Sequence, residues 1–423
     1  MAHNVIALYG MQACTYVLPL ITFPYLARVL GPGGWGSVVF AQAMGGIIVI
    51  AVEYGFDVSA TREAARLRGD RNRLSELVTG VLWAKALLVA LCICGTIIAR
   101  PYTLHIVPSP VLYWASVVWG IGQGVNMLWY FQGLERMQLV SGLDIGGKVL
   151  ATLSIFLVVH KPDDGWKVMA AQALGCLVSH AVTVWLAYRE VGFRWPTSWT
   201  IKNALSVGWP MFLFRAAQSL LITANGLILG FFAPGAALGI YAGAEKITRI
   251  PQQAIWPLNQ ALYPRLSHKV RDDADSVAKI VRLSLAILAG LGLLGTIVLF
   301  FGAPLLIRMI LGPAFVSGVA TLRVFAFLIP LNAISTVLSF QWILPHGLDR
   351  QFNVVIFSAG VLNVGLGMLL AAKWSHFGMA LAVLSAQVFL VLALAVMLRR
   401  EGLSPFAKSR MAAEVELDQE PVL

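Results

Sequence analysis

The chain has 423 residues, 58% of them hydrophobic and 12% charged, and a formal net charge of +11. A soluble domain carries about 25% charged residues, so this composition, with a mean hydropathy of +0.78, excludes a soluble globular fold and indicates a polytopic membrane protein. The basic residues fall mostly in short loops beside apolar runs, where membrane orientation accounts for them; there is no basic, aromatic-interleaved domain for nucleic acid, and the expected surroundings are membrane lipids.

Taken in order, the apolar runs predict twelve spans. Six lie in the first half, at 5–27, 36–58, 79–99, 109–131, 144–160 and 167–188. Six more lie at 205–230, 236–262, 281–303, 318–344, 352–372 and 377–398. Each is close to the ~20 residues that cross a bilayer as a helix. His3 and Asn4 lead straight into the first run without a basic n-region, so no cleavable signal peptide is expected. With both termini on one side, that side collects twenty loop Lys and Arg against six opposite, counting Arg136 and Lys148 in one of its loops. This asymmetry places both termini in the cytoplasm. The four cysteines all fall in apolar runs and read as free structural thiols.

The two halves repeat. Gly36 and Gly239 open matching segments 203 residues apart, and Arg62 and Arg265 keep the same offset. Gly133-Leu134-Glu135-Arg136 after the fourth span is echoed by Gly347-Leu348-Asp349-Arg350 after the tenth. Six spans per repeat is even, so both halves enter the membrane alike, related by an axis along its normal. The expected fold is therefore an all-α polytopic membrane protein, with twelve transmembrane helices in two six-helix lobes related by a parallel internal repeat. Residues 1–200 form the N-lobe and 201–400 the C-lobe; 401–423 form a cytoplasmic tail, expected to be disordered.

Charges inside spans cost ~2.5–3.5 kcal/mol or more each, so they mark candidate sites. Lys85 lies near the inner end of the third span and Arg323 near the outer end of the tenth; both are able to snorkel. Glu53 and Asp57 form an i, i+4 like-charge pair, either a proton relay or an interfacial pair beside a basic loop. Arg215 in the seventh span has no carboxylate in its own span and suits phosphate recognition. His180 reads as a packing residue. The densest cluster is Gly239–Leu266, which carries Glu245, Lys246 and Arg249 and continues on one face with Gln252, Trp256, Asn259 and Gln260. It predicts the wall of a cavity that binds an anionic group, with Glu245 either titrating or pairing with Arg249. Metal-spaced His/Cys clusters, a nucleophile elbow and a P-loop are all missing from the sequence, so an enzyme is not expected; nor is a cofactor.

Five stretches, FPYLARVLGPGGWGSVVFAQ (23–42), EYGFDVSATREAAR (53–66), WYFQGLERM (129–137), LILGFFAPGAALGIYAGAEKI (227–247) and GPAFVSGVATLRVFAF (312–327), resemble the Wzx-type polysaccharide flippases of the multidrug/oligosaccharidyl-lipid/polysaccharide exporter superfamily. The resemblance covers about 10–400. It implies a transporter of the bacterial inner membrane that flips undecaprenyl-pyrophosphate-linked oligosaccharide units by alternating access. It also implies a cationic central cavity and ion coupling, through H+ or Na+. By position Arg28 matches the family's first-span Arg, and Glu245–Lys246 match its eighth-span motif; Asn225 stands where the family commonly has Asp. On this reading the cationic candidates are Arg28, Lys85, Arg215, Lys246, Arg249 and Arg323, and the coupling candidates Glu245, Glu53 and Asp57. The pathway is O-antigen or exopolysaccharide synthesis, with a glycan polymerase and chain-length proteins as possible partners. The rivals are a multidrug/cation antiporter, which would want an acidic cavity, and a non-transporting partner of a glycan polymerase.

Overall fold

The computed structural model describes residues 2–222, 224–233, 235–269, 274–403 and 405–406, with side chains described except at 2–14, 16, 214, 217–218, 220–222, 253–269 and 274–275. The side chains of Cys14, Gln218, Trp256, Asn259 and Gln260, and the tail at 407–423, lie outside the described residues. Within them the regular structure is helical, with no strand. In chain order the helices are α1 (Ala2–Glu53), α2 (Phe56–Arg66), α3 (Arg71–Thr103), α4 (Pro110–Gly124), α5 (Leu128–Gly133), α6 (Gln138–Val158) and α7 (Gly165–Val191). They continue as α8 (Ser198–Ile222), α9 (Ala224–Phe232), α10 (Ala236–Lys269), α11 (Ala274–Leu306), α12 (Val319–Ala326), α13 (Leu328–Val337) and α14 (Asp349–Arg400).

Among the described residues seven segments are long and apolar enough to cross a membrane. Two of them are folded back on themselves. The first includes most of α1, whose 52 residues would reach about 78 Å as a straight helix, more than twice the ~30 Å hydrocarbon core. Gly31 breaks it, at φ 64, ψ 178, a backbone state glycine adopts without a Cβ penalty. Phe23 and Trp35 would stand about 18 Å apart along a straight helix, yet their ring centroids lie 5.6 Å apart. The two arms of α1 therefore lie side by side. In α14 the break falls at Trp374 and Ser375, and Gly378 comes back against the Leu370 carbonyl so closely that a Cβ would collide with it.

The predicted spans and the helices differ where local breaks intrude. The second run stops at Glu53, because Tyr54 and Gly55 take positive φ (49° and 74°) before α2 begins. The fourth breaks between α4 and α5. The fifth starts earlier than expected, at Gln138, and Lys148, counted with the loop charges although the predicted run 144–160 contains it, lies inside α6. The loop after α5 is held to α2's end by Arg68, which donates to the Gly133 carbonyl at 2.8 Å and pairs with Glu135 at 2.9 Å. That hydrogen bond and charge hold the exposed Glu135 carboxyl below the usual carboxylate range.

Three apolar cores form. The largest draws on both halves: Phe23, Trp35 and Phe40 of α1 meet Leu238, Tyr241 and Ile247 of α10, with Phe325 of α12. The second draws only on 277–403 and the third only on 54–205. The shared core surrounds the Gly31 and Ser375 turns, while the separate cores lie at the opposite ends of α1 and α14. The two halves thus share apolar packing at one end of the molecule; at the other end each has a core drawn mainly from its own helices, with Ala204 of α8 joining the first half's core and α8 packing against both α3 and α14.

The shared end is closed by backbone-to-backbone contact. A Cβ on Gly36 would collide with the Gly235 carbonyl; a Cβ on Gly239 would collide with the Pro32 carbonyl. Two helices approach this closely only where both lack side chains. Gly36→Val or Gly239→Val should therefore force the helices apart, costing roughly 1–3 kcal/mol. Thermal unfolding in detergent should show the loss. Gly95→Ala, where a Cβ meets nothing within 4 Å, should leave the transition in place or raise it.

Candidate functional site

The cavity lies on the inner side of α1, walled by α4, α6 and α7, with one side chain entering from α10. Its volume is about 380 Å³, within the range of small-molecule sites. The entering group is Lys246. It stands seven residues beyond Gly239, two helical turns along the same face of α10, so the glycine contact that docks α10 also aims Lys246 at α1. Its ammonium sits 4.5 Å from the Trp35 ring centroid and 5.4 Å from that of Phe23. Ring faces stabilise a cation by ~0.5–2 kcal/mol without neutralising it. Among the described residues Lys246 makes no ion pair.

Its neighbours on α10 are otherwise engaged. Glu245 and Arg249 bond at 2.8 Å, the i, i+4 pair that their spacing allows. Gln252 is half-buried on the same helix.

Four other predicted residues gather at the far end of α1, away from Lys246. Arg215 of α8 pairs with Asp57 and stands 3.8 Å from Glu53. Glu53 also accepts from the Asn126 side chain at 2.8 Å. Lys85 is 1% exposed and donates to the Gly124 and Asn126 carbonyls at 2.8 and 3.0 Å. These are the carbonyls left open where α4 ends, so Lys85 caps a helix break and does not face the cavity. Arg215, alone in its own span, is matched by two carboxylates from the first half of the chain. The like-charge pair Glu53–Asp57 is likewise resolved by that guanidinium.

The remaining two cations lie apart. Arg28 is exposed near the Gly31 turn and donates to the Met309 carbonyl, tying α1 to the turn after α11. Arg323 donates to the Phe300 carbonyl at 3.2 Å and lies over that ring. His180 hydrogen-bonds the Gly122 carbonyl at 2.7 Å, as a packing residue would.

Sequence reasoning overlooked the first-half wall of the cavity. Asp144 and Lys148 form an ion pair at 2.7 Å inside α6, and Lys148 also donates to Thr15 at 2.9 Å. Their i, i+4 spacing lay within the predicted fifth run and was available as a signal, but counting Lys148 among the loop charges concealed it. Gln42, Gln123 and Gln172 line the same cavity from three different helices. No local pattern brings those three together.

Comparison with known proteins agrees with this architecture. The family profile described as "Polysaccharide biosynthesis protein" matches residues 1–270. A protein of Escherichia coli (strain K12) named "Putative O-antigen transporter" is 27% identical over 395 residues, 91% of this chain and 93% of its own. Among solved structures, lipid II flippase MurJ in an inward closed conformation superposes with a TM-score of 0.71 at 12% identity, over 94% of this chain and 88% of that one. An inward-facing multidrug resistance MATE family transporter gives 0.68 at 15% identity, over 96% and 100%. The fold is that of a polytopic membrane protein, and the relatives and structures it matches are named as transporters or flippases, not enzymes. The chain belongs to the polysaccharide biosynthesis protein family, and its motif resemblance to the Wzx-type flippases is borne out.

The capping role of Lys85 is open to test. Lys85→Met would leave two buried carbonyls without a donor, a loss of about 1–3 kcal/mol. The variant should unfold at lower temperature than wild type in detergent; an unshifted transition would show that Lys85 does not hold the α4 break.

Proposed function

We propose that the chain flips an undecaprenyl-pyrophosphate-linked oligosaccharide from the cytoplasmic to the outer leaflet of the bacterial inner membrane, for O-antigen or exopolysaccharide synthesis. The observation that carries this reading is Lys246: an ammonium without an ion-pair partner among the described residues, held over aromatic rings in a cavity of a membrane protein. Such a charge is costly unless a ligand uses it. An anionic diphosphate is the ligand that suits it, and a cationic drug is not.

Several features support the remaining parts of the reading. The Gly36 contact with Gly235 is mirrored by that of Gly239 with Pro32. Both residue pairs, 36/239 and 32/235, are offset by 203, so the contact has the self-complementary form of a two-fold interface. This supports two six-helix lobes related by an axis passing near these glycines. Folding α1 and α14 back on themselves is compatible with twelve crossings. A shared core at the Gly31 end and separate cores at the other suit lobes that rock about the glycine contact. The excess of basic residues puts the separate ends in the cytoplasm, where a lipid-linked substrate would enter. Glu245 is the favoured coupling group for H+ or Na+, because its protonation or an arriving diphosphate would release Arg249 toward the same ligand.

Complementation of a bacterium lacking its own flippase tests the proposal. Lys246→Met should reduce surface glycan at least roughly tenfold, the loss of a single charge-assisted contact. Lys246→Arg, which keeps the charge, should retain a measurable share. Full surface glycan from Lys246→Met at normal membrane abundance would refute the role assigned to this residue.

A further inference from the structure

The cavity has a second chemistry besides Lys246. Three primary amides enter it: Gln42 from the second arm of α1, Gln123 from α4 and Gln172 from α7. Trp119 borders them. A polar side chain inside a membrane is retained when it bonds another helix or serves a ligand. Helix bonding uses only part of their capacity: the Gln123 side chain hydrogen-bonds the Cys176 thiol of α7. Gln42 and Gln172 approach at only 3.4 Å, beyond the usual 2.7–3.2 Å of an N–H···O bond, and the space between the helices is open. Each amide can offer two donors and an acceptor with two lone pairs, and one long amide contact and one bond to a thiol leave part of that capacity available.

We propose that this wall is a saccharide subsite, which receives the sugar joined to the diphosphate that Lys246 meets. The inference rests on the flippase reading above and deepens it. Hydroxyl pairs on a pyranose present a donor and an acceptor side by side, the pattern an amide complements. The face of an indole packs on the apolar C–H face of the ring, with its edge left for polar contacts. The charge of the wall fits the same class. Asp144 is committed to Lys148 at 2.7 Å, so those two charges cancel, and among the described residues Lys246 is the cavity cation without an ion pair. A cavity that offers both an unpaired ammonium and a set of amides matches a ligand with two parts, a phosphate and a sugar.

The test uses the full-length protein in lipid nanodiscs and two probes, undecaprenyl pyrophosphate and the lipid-linked oligosaccharide extracted from the membranes of the host. Wild type should bind the oligosaccharide-bearing lipid at least roughly tenfold tighter, the worth of one or two well-made hydrogen bonds. Gln42→Met, Gln123→Met and Gln172→Met keep side-chain volume; each should shrink that ratio severalfold, while Lys246→Met weakens both probes. Equal binding of the two lipids by wild type, or an unchanged ratio in all three glutamine variants, would overturn the subsite and leave phosphate capture standing. Failure of wild type to bind the bare lipid, with the oligosaccharide-bearing lipid still bound through the glutamines, would remove the phosphate reading and keep the subsite.

Discussion

The backbone contact between Gly36 and Gly239 is the constraint on which the site depends. Because neither residue has a side chain, α1 and α10 meet at the closest spacing two helices allow. That contact sets the register of α10 against α1. Lys246, two turns along, then falls on Trp35 and Phe23, while Glu245 and Arg249 pair beside it. Moving the helices apart by one methyl group would displace the ammonium from both rings. The same contact closes one end of the molecule, where the two halves share their largest apolar core.

Charge bookkeeping explains why Lys246 stands out. Arg215 has Asp57 and Glu53, Arg249 has Glu245, and Lys148 has Asp144. Lys85, Arg28 and Arg323 donate to backbone carbonyls. Each of these arrangements offsets part of the cost of placing a cation among apolar helices. Lys246 has ring faces, which leave its charge available to a ligand. Among the described residues the distribution separates cations tied to carboxylates or carbonyls from Lys246, the one on which the proposed anion binding rests.

Much of the architecture was legible in the sequence, because apolar run length and the positions of Gly and Pro are local. The Glu245–Arg249 pair was legible for the same reason, since i, i+4 spacing fixes it. The partners of Arg215 were not, because Asp57 lies 158 residues away and only the packing of α8 against α2 brings it near. Lys85 looked like a snorkelling or cavity residue, since its acceptors are backbone carbonyls exposed by a break between α4 and α5 that hydropathy does not register. The amide wall was hidden for a related reason: Gln42, Gln123 and Gln172 are single polar residues on three helices, and their convergence is a property of the fold. The offset of 203 between Gly36 and Gly239 was visible as a pattern, but that these two glycines touch was not.

The most direct measurement is transport itself. The purified protein, reconstituted in liposomes loaded with lipid-linked oligosaccharide in one leaflet, should speed the appearance of the glycan on the opposite leaflet, read by a membrane-impermeant lectin or glycosidase. The Lys246→Met variant, incorporated to the same level, should move it at least roughly tenfold more slowly than wild type. Wild-type vesicles no faster than protein-free ones, or a Lys246→Met variant as fast as wild type, would contradict the account.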